Sequence, residues 1–260
     1  MHHVREGSGT PLLLIHGIGG SWRSWDPILP ALSAEREVVA VDLPGFGETP
    51  PLPDAPSIAA FADALTAWLR EQGLIGVDVV GSSMGARIVL ELARRGHVGA
   101  TVALDPGGFW NDRQRTVFGA SVGASVRLLR VLKPALPALA GNPVGRTALL
   151  AQFSARPWSL PADVVVRELR SFADSVAFDA ALHELVHGPV QEGMPRGSAR
   201  AAIVIGWGRR DWVCLPSQAR VAAERFPDAR LHWFEHCGHF PQWDVPEQAS
   251  RLILDSTGRA

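Results

Sequence analysis

The chain has 260 residues, of which 47% are hydrophobic and 20% charged, with a formal net charge of −1. That balance excludes a disordered chain, and the length suits one large domain or a core domain with a substantial insertion; near-zero charge argues against nucleic acid or an anionic membrane as partner. Two cysteines cannot make a disulfide framework, and a chain without tyrosine can use none in its chemistry.

In chain order, MHHVREGSG has no apolar h-region, so no secretory signal is expected and the protein is expected to be cytoplasmic. No apolar run approaches the ~20 residues of a membrane span, so no membrane insertion is expected. LLLIH at 12–16 is a short apolar run ended by glycines and reads as a buried strand. EVVAVD at 37–42 is a second, stopped by the turn-rich LPGFGETP. Residues 57–72 carry Ile58, Phe61, Leu65, Trp68 and Leu69 at helical spacing. A third strand is expected at 77–80, a helix at 84–95 and a fourth strand at 101–104. The fifth and sixth strands are expected at 201–205 and 229–234. Helical patterns follow these two, from about Leu215 and about Val245.

Alternating strands and helices predict an α/β fold, a mostly parallel twisted sheet with helices on both faces. The alternation fails between 106 and 198. There, amphipathic segments at 127–132, 143–153 and 161–186 are separated by prolines, with no convincing strand. The expected organisation is a core of residues 1–106 and 199–260 with an all-helical cap, 107–198, inserted between core strands.

The pattern G-x-S-x-G occurs twice, as Gly81-Ser82-Ser83-Met84-Gly85 and as Gly119-Ala120-Ser121-Val122-Gly123. A nucleophilic serine on a strained turn between strand and helix needs very small residues two before and two after it. Ser83 has Gly81 and Gly85 at those places, whereas Ser82 would have Val80 and Met84. Ser121 follows a polar stretch inside the helical insert, where its glycines read as close packing or a helix break. Ser83 is therefore the expected nucleophile.

A serine needs a base to take its proton, and the base needs an acid to hold its tautomer. In this kind of site the chain order is serine, acid, histidine. GWGRRD supplies Asp211 after the fifth strand, and CGHFPQWD supplies His239 after the sixth. Asp105, in VALDPGG, also follows a strand and stays open as the rival acid. The backbone N–H of Met84, directly after the nucleophile, is the expected oxyanion donor.

The chain resembles the α/β-hydrolase superfamily over nearly its whole length. HGIGG (16–20) is similar to its oxyanion-hole loop and DLPGFGET (42–49) to the turn after the next strand. GSSMG (81–85) is similar to its nucleophile elbow, GWGRRD (206–211) to its acid loop and CGHFPQWDVPE (237–247) to its histidine loop. The resemblance implies Ile18 N–H as the other oxyanion donor. Family members usually carry one or two edge strands before the oxyanion loop; with eleven residues ahead of Leu12, the sheet is expected to be short by a strand there.

Other features receive plainer readings. HELVH (183–187) matches the zinc pattern H-E-x-x-H. Gly188 and Pro189 end that helix at once, and Val190 stands where the extended motif needs glycine, so no metal is expected. Gly45-Phe46-Gly47 reads as a turn, because Pro50 stands where a nucleotide loop needs its third glycine. His16 reads as a buried histidine pinning the oxyanion loop. Trp207, Trp212 and Trp233 read as packing. The amphipathic SVRLLRVL (125–132) reads as a helix over an apolar pocket.

The expected function is hydrolysis of a carboxylic ester, thioester or lactone through an acyl-enzyme on Ser83, with a small-molecule acyl substrate and no cofactor. By resemblance, the same constellation serves C–C bond hydrolysis and cofactor-free perhydrolysis. A ligand-binding receptor with little turnover stays open. Dehalogenase and epoxide hydrolase chemistry is disfavoured, because those relatives carry aspartate where Ser83 stands.

Overall fold

In the computed structural model, which describes residues 1–258, seven strands form one sheet. They are β1 (His3–Glu6), β2 (Pro11–Ile15), β3 (Glu37–Val41), β4 (Asp78–Ser82), β5 (Thr101–Leu104), β6 (Ile203–Gly208) and β7 (Arg230–Phe234). Their order is β1-β3-β2-β4-β5-β6-β7. Only β1 runs antiparallel; every other pairing is parallel. The eleven residues ahead of Leu12 thus supply one edge strand, which the sequence pattern did not reveal.

The inner strands β2 to β6 are largely apolar because both faces are covered. Leu13, Ile15, Val39 and Val79 face one layer, with α2 (Ile58–Glu71) and α3 (Met84–Arg94). Leu12, Leu14, Val38 and Val80 face the other, with α1 (Leu29–Ser33) and the C-terminal helix Pro246–Ser256. Ser57 caps α2 by accepting the Ala60 N–H at 3.0 Å, the local reason that helix begins where it does.

All the described elements between β5 and β6 are helical. They include α4 (Asp112–Leu132), α5 (Leu136–Ala140), α6 (Pro143–Leu150), α7 (Ala162–Asp174) and α8 (Phe178–His187). The helix α4 starts fifteen residues before the expected 127, because Asn111 and Gln114 form a reciprocal capping box. It also runs unbroken through Gly119 and Gly123. A Cβ on Gly119 would meet Val186 of α8 at 2.5 Å, so this glycine serves close helix packing and does not break the helix.

Chain order places the site. From β2 the chain moves outward to β3, then crosses to β4 on the other side of β2. The ends of β2 and β4 therefore lie side by side at a topological switch point, with Ile15 paired to Gly81. In open parallel sheets the crevice beyond such strand ends is where ligands bind.

Candidate active site

The elbow joins β4 to α3. Ser83 has φ 55° and ψ −113°, and it and Asp105 are the only non-glycine residues with positive φ among those described. The turn is tight enough that a Cβ on Gly81 would lie 2.3 Å from the Gly85 oxygen, and one on Gly85 would lie 2.2 Å from the Ile15 oxygen. This crowding is why the GSSMG glycines flank Ser83. Ser82 is still in the strand, buried, and its Oγ accepts from Gln242 Nε2 at 3.2 Å. Ser121 lies within α4, where its hydroxyl accepts from Gln152 of the segment after α6.

Ser83 Oγ is 2.9 Å from His239 Nε2, and His239 Nδ1 is 2.8 Å from Asp211 Oδ2. The other oxygen of Asp211 accepts the N–H groups of Val213 and Cys214 at 2.7 and 2.9 Å. The acid and histidine loops are tied together by Arg209 N–H to Phe234 O and Arg210 N–H to Cys237 O, both 2.9 Å. Gly208 is required there, since a Cβ would sit 2.0 Å from the Gly238 oxygen.

Two elements hold the histidine loop from beyond. The His239 N–H donates to Phe153 O at 2.8 Å. Asp244, in the short helix Pro241–Asp244, accepts from Gly238 N–H and Ala155 N–H at 2.7 and 2.8 Å and from the Ser154 hydroxyl. Burial pushes the Asp244 carboxyl above its usual range, against these hydrogen bonds. Asp244 and Ser154 gave no signal in the sequence; they are joined only by the fold.

The HGIGG loop follows β2. His16 is fully buried, its Nδ1–H donating to Gly17 O at 2.7 Å and its Nε2 accepting the Leu43 N–H at 3.0 Å. Burial lowers its pKa, which keeps the imidazole neutral, as this pairing needs. Gly17 lies beside the elbow: a Cβ there would be 3.1 Å from the Ser83 Cβ. Among the hydrogen bonds of the described residues, neither the Ile18 N–H nor the Met84 N–H has an acceptor.

Asp105 directly follows β5 and is completely buried, but it does not bond His239. Its Oδ1 accepts the Gly208 N–H at 2.7 Å, and its Oδ2 faces no donor. Burial first, and then the neighbouring Asp211, raise its pKa well above the carboxylate range.

Over Ser83 and His239 lies a narrow apolar pocket of about 20 Å³, room for about one water. The insert supplies Phe118, Val122 and Val126 from α4, together with Phe153, Phe172 and Phe178. The i, i+4 spacing of 118, 122 and 126 was a readable signal for this wall. Phe118 and Val213 also line an open cleft of about 330 Å³ between α4 and the acid loop. On its rim stand Val117 and Trp212, the latter 70% exposed and so not the packing residue expected. Trp207, by contrast, is buried, its indole N–H bonding Cys214 O at 2.8 Å.

The HELVH histidines are exposed on α8 and stack on each other at 4.2 Å. The single cluster of three metal-ligand types among the described residues is Asp211, Cys214 and His239. Burial and the nearby carboxyls push the Cys214 thiol well up, so it stays protonated, and the other two bond each other. Both cysteines are buried free thiols. No helix of the described residues is long and apolar enough to cross a membrane.

Residues 12–252 match the alpha/beta hydrolase family. The chain is 25% identical over 253 residues to the dihydrolipoyllysine-residue acetyltransferase component of the acetoin cleaving system of Pseudomonas putida. That match covers 95% of this chain but only 63% of the relative. It is 28% identical over 270 residues to a 2-hydroxy-6-oxononadienedioate/2-hydroxy-6-oxononatrienedioate hydrolase of Pseudomonas putida, covering 98% of this chain and 90% of that protein. A thermophilic esterase from Thermogutta terrifontis shares the fold, with a TM-score of 0.75 at 18% identity over 98% of this chain and 91% of that one.

Proposed function

Since the chain belongs to the alpha/beta hydrolase family, we propose that it is a serine hydrolase cleaving a carboxylic ester, thioester or lactone through an acyl-enzyme on Ser83. The observation that carries this is the continuous chain Ser83 Oγ, His239 Nε2, His239 Nδ1, Asp211 Oδ2, with links of 2.9 and 2.8 Å. Ser83 Oγ attacks the carbonyl carbon while His239 Nε2 takes its proton. Asp211 accepts the Nδ1–H throughout, which holds the tautomer and stabilises the imidazolium. The carbonyl oxygen becomes negative between the unengaged N–H groups of Ile18 and Met84. Losing one such donor typically costs about 3 kcal/mol of barrier stabilisation. His239 then protonates the leaving alcohol or thiol, and a water, deprotonated by the same ring, releases the acid.

The helical insert, residues 107–198, acts in this reading as a cap. The pocket over Ser83, about 20 Å³, is too small for a substrate, so the cap moves to admit one. The cleft beside Trp212 is the entrance, with Phe118 and Val213 between it and Ser83.

A second reading is C–C bond hydrolysis, favoured by the 28% identity to a hydrolase whose name specifies a dioate. The pocket wall argues for the ester. Beyond Ser83 and His239 its lining residues are all apolar, and a carboxylate buried there without a partner would cost several kcal/mol. A neutral, apolar acyl group fits. The test is a panel of p-nitrophenyl esters, thioesters and lactones against a 2-hydroxy-6-oxodienedioate, on wild type and Ser83→Ala. Neutral esters should be preferred and should depend on Ser83; faster turnover of the dioate would establish C–C hydrolysis instead.

A further inference from the structure

Two buried carboxyl groups meet at Gly208 behind His239, and the proposed mechanism uses only one. Asp211 already accepts three hydrogen bonds, one from His239 and two from backbone N–H groups. Asp105 is its neighbour through Gly208, whose N–H donates to Asp105 Oδ1 at 2.7 Å and whose carbonyl accepts the Asp211 N–H at 3.3 Å; Asp105 accepts no other N–H and has an oxygen that no donor faces. An orphaned buried carboxylate oxygen beside another carboxylate has one inexpensive remedy, a proton on that oxygen.

The surroundings agree. The other titratable groups facing Asp105 are Asp211 and Cys214 on the acid loop, Cys237 before His239, and Asp244 beyond it. None is a cation, and Arg87 acts on Cys214. Two adjacent carboxyls in such a place share one proton. The backbone adds an independent sign of constraint. Asp105 holds φ 48° at the end of β5, a conformation it shares, among non-glycine residues described, with Ser83 alone.

We propose that Asp105 is protonated and donates a hydrogen bond from Oδ2 to the Asp211 carboxylate, so that it is a positioning residue for the Asp211–His239 pair. The proton stays on Asp105, because Asp211 bears the three donors that favour its charge. The bond fixes the Asp211 carboxyl and keeps the single negative charge on the residue that meets the imidazolium. This inference rests on the triad reading above, and its tests are separable from it.

The experiment compares wild type with Asp105→Asn and Asp105→Gly. The asparagine keeps an acceptor for Gly208 and an N–H donor for Asp211, and tolerates positive φ. The glycine removes the carboxyl without straining the backbone. The first readout is the rate of Ser83 labelling by a fluorophosphonate probe across pH 6 to 9. Asparagine should label within about threefold of wild type, and glycine about 10- to 100-fold more slowly, with both folded by circular dichroism. The second readout is unfolding from pH 5 to 9. Wild type should lose stability relative to the asparagine variant as pH rises, by up to tenfold in folding constant per pH unit, because the unfolded chain releases a proton that the native one retains. If asparagine is as slow as glycine and shows no pH-dependent gain, Asp105 works as a carboxylate and the proposal is overturned. If wild-type Ser83 does not label at all, the triad reading fails and the positioning role with it. The unfolding comparison still reports where the proton sits.

Discussion

The two halves of the site are built from opposite materials. Below Ser83, the strand ends of the core supply polar groups whose bonds are nearly all made: Asp211 with three donors, His239 with two partners, His16 pinned on both nitrogens. Above it, the insert contributes phenylalanine and valine. The lesson is a division of labour. Fixed dipoles on rigid strand ends suit bond making, where small displacements are costly. An apolar wall on helices suits selection and entry, where a few kcal/mol suffice.

The proposed roles predict the largest losses in the lower half. Ser83→Ala should lower kcat/KM for an activated ester by about 10⁴-fold or more with the fold intact. Asp211→Asn should cost about 10⁴ in kcat, since asparagine can hold His239 in the wrong tautomer. Asp105→Asn, in the same assay, should cost far less; the reverse order would move the acid to β5.

The seam between the halves should show itself in stability. Glu168 of α7 is fully buried, accepts from Ser24 of the core at 2.7 Å, and leaves its other oxygen without a partner. Burial raises its pKa to about 7. A raised carboxyl contributes its full stability below the unfolded value of about 4.3 and loses it as pH climbs through 7. Glu168→Gln should therefore match wild type near pH 4 and exceed it by about 3 kcal/mol near pH 8, read by denaturant melts. An equal difference at both pH values would show that Glu168 does not titrate in this window.

The upper half should give the smallest changes. Phe118 lines both the pocket over Ser83 and the Trp212 cleft, so Phe118→Ala should widen the proposed entrance. It should lower KM for longer acyl esters by about tenfold and leave kcat for an acetate ester little altered. A uniform fall in kcat across chain lengths would mean that Phe118 positions the reaction and does not gate entry.

Legibility in the sequence follows the same divide. β2 to β6 were readable because burial on both faces leaves largely apolar runs, and the elbow because its crowding dictates glycine on each side of Ser83. The edge strand β1, HVRE, has a polar sequence because an edge needs little burial. Gly119 was ambiguous because a glycine that admits a neighbouring helix is spelled like one that ends a helix. Asp105 and Gly208 lie 103 residues apart, so the orphaned oxygen beside Asp211 exists only in the fold. The same holds for Asp244 at the back of the histidine loop, and for the exposure of Trp212.

The proposed chemistry stands or falls with Ser83 as the nucleophile, activated by His239 and Asp211. It is tested most directly by treating the intact protein with a fluorophosphonate probe and mapping the labelled peptide by mass spectrometry. The account predicts label on Ser83, abolished in Ser83→Ala and strongly slowed in His239→Ala. Label on Ser82, or on Ser121 within α4, would contradict it.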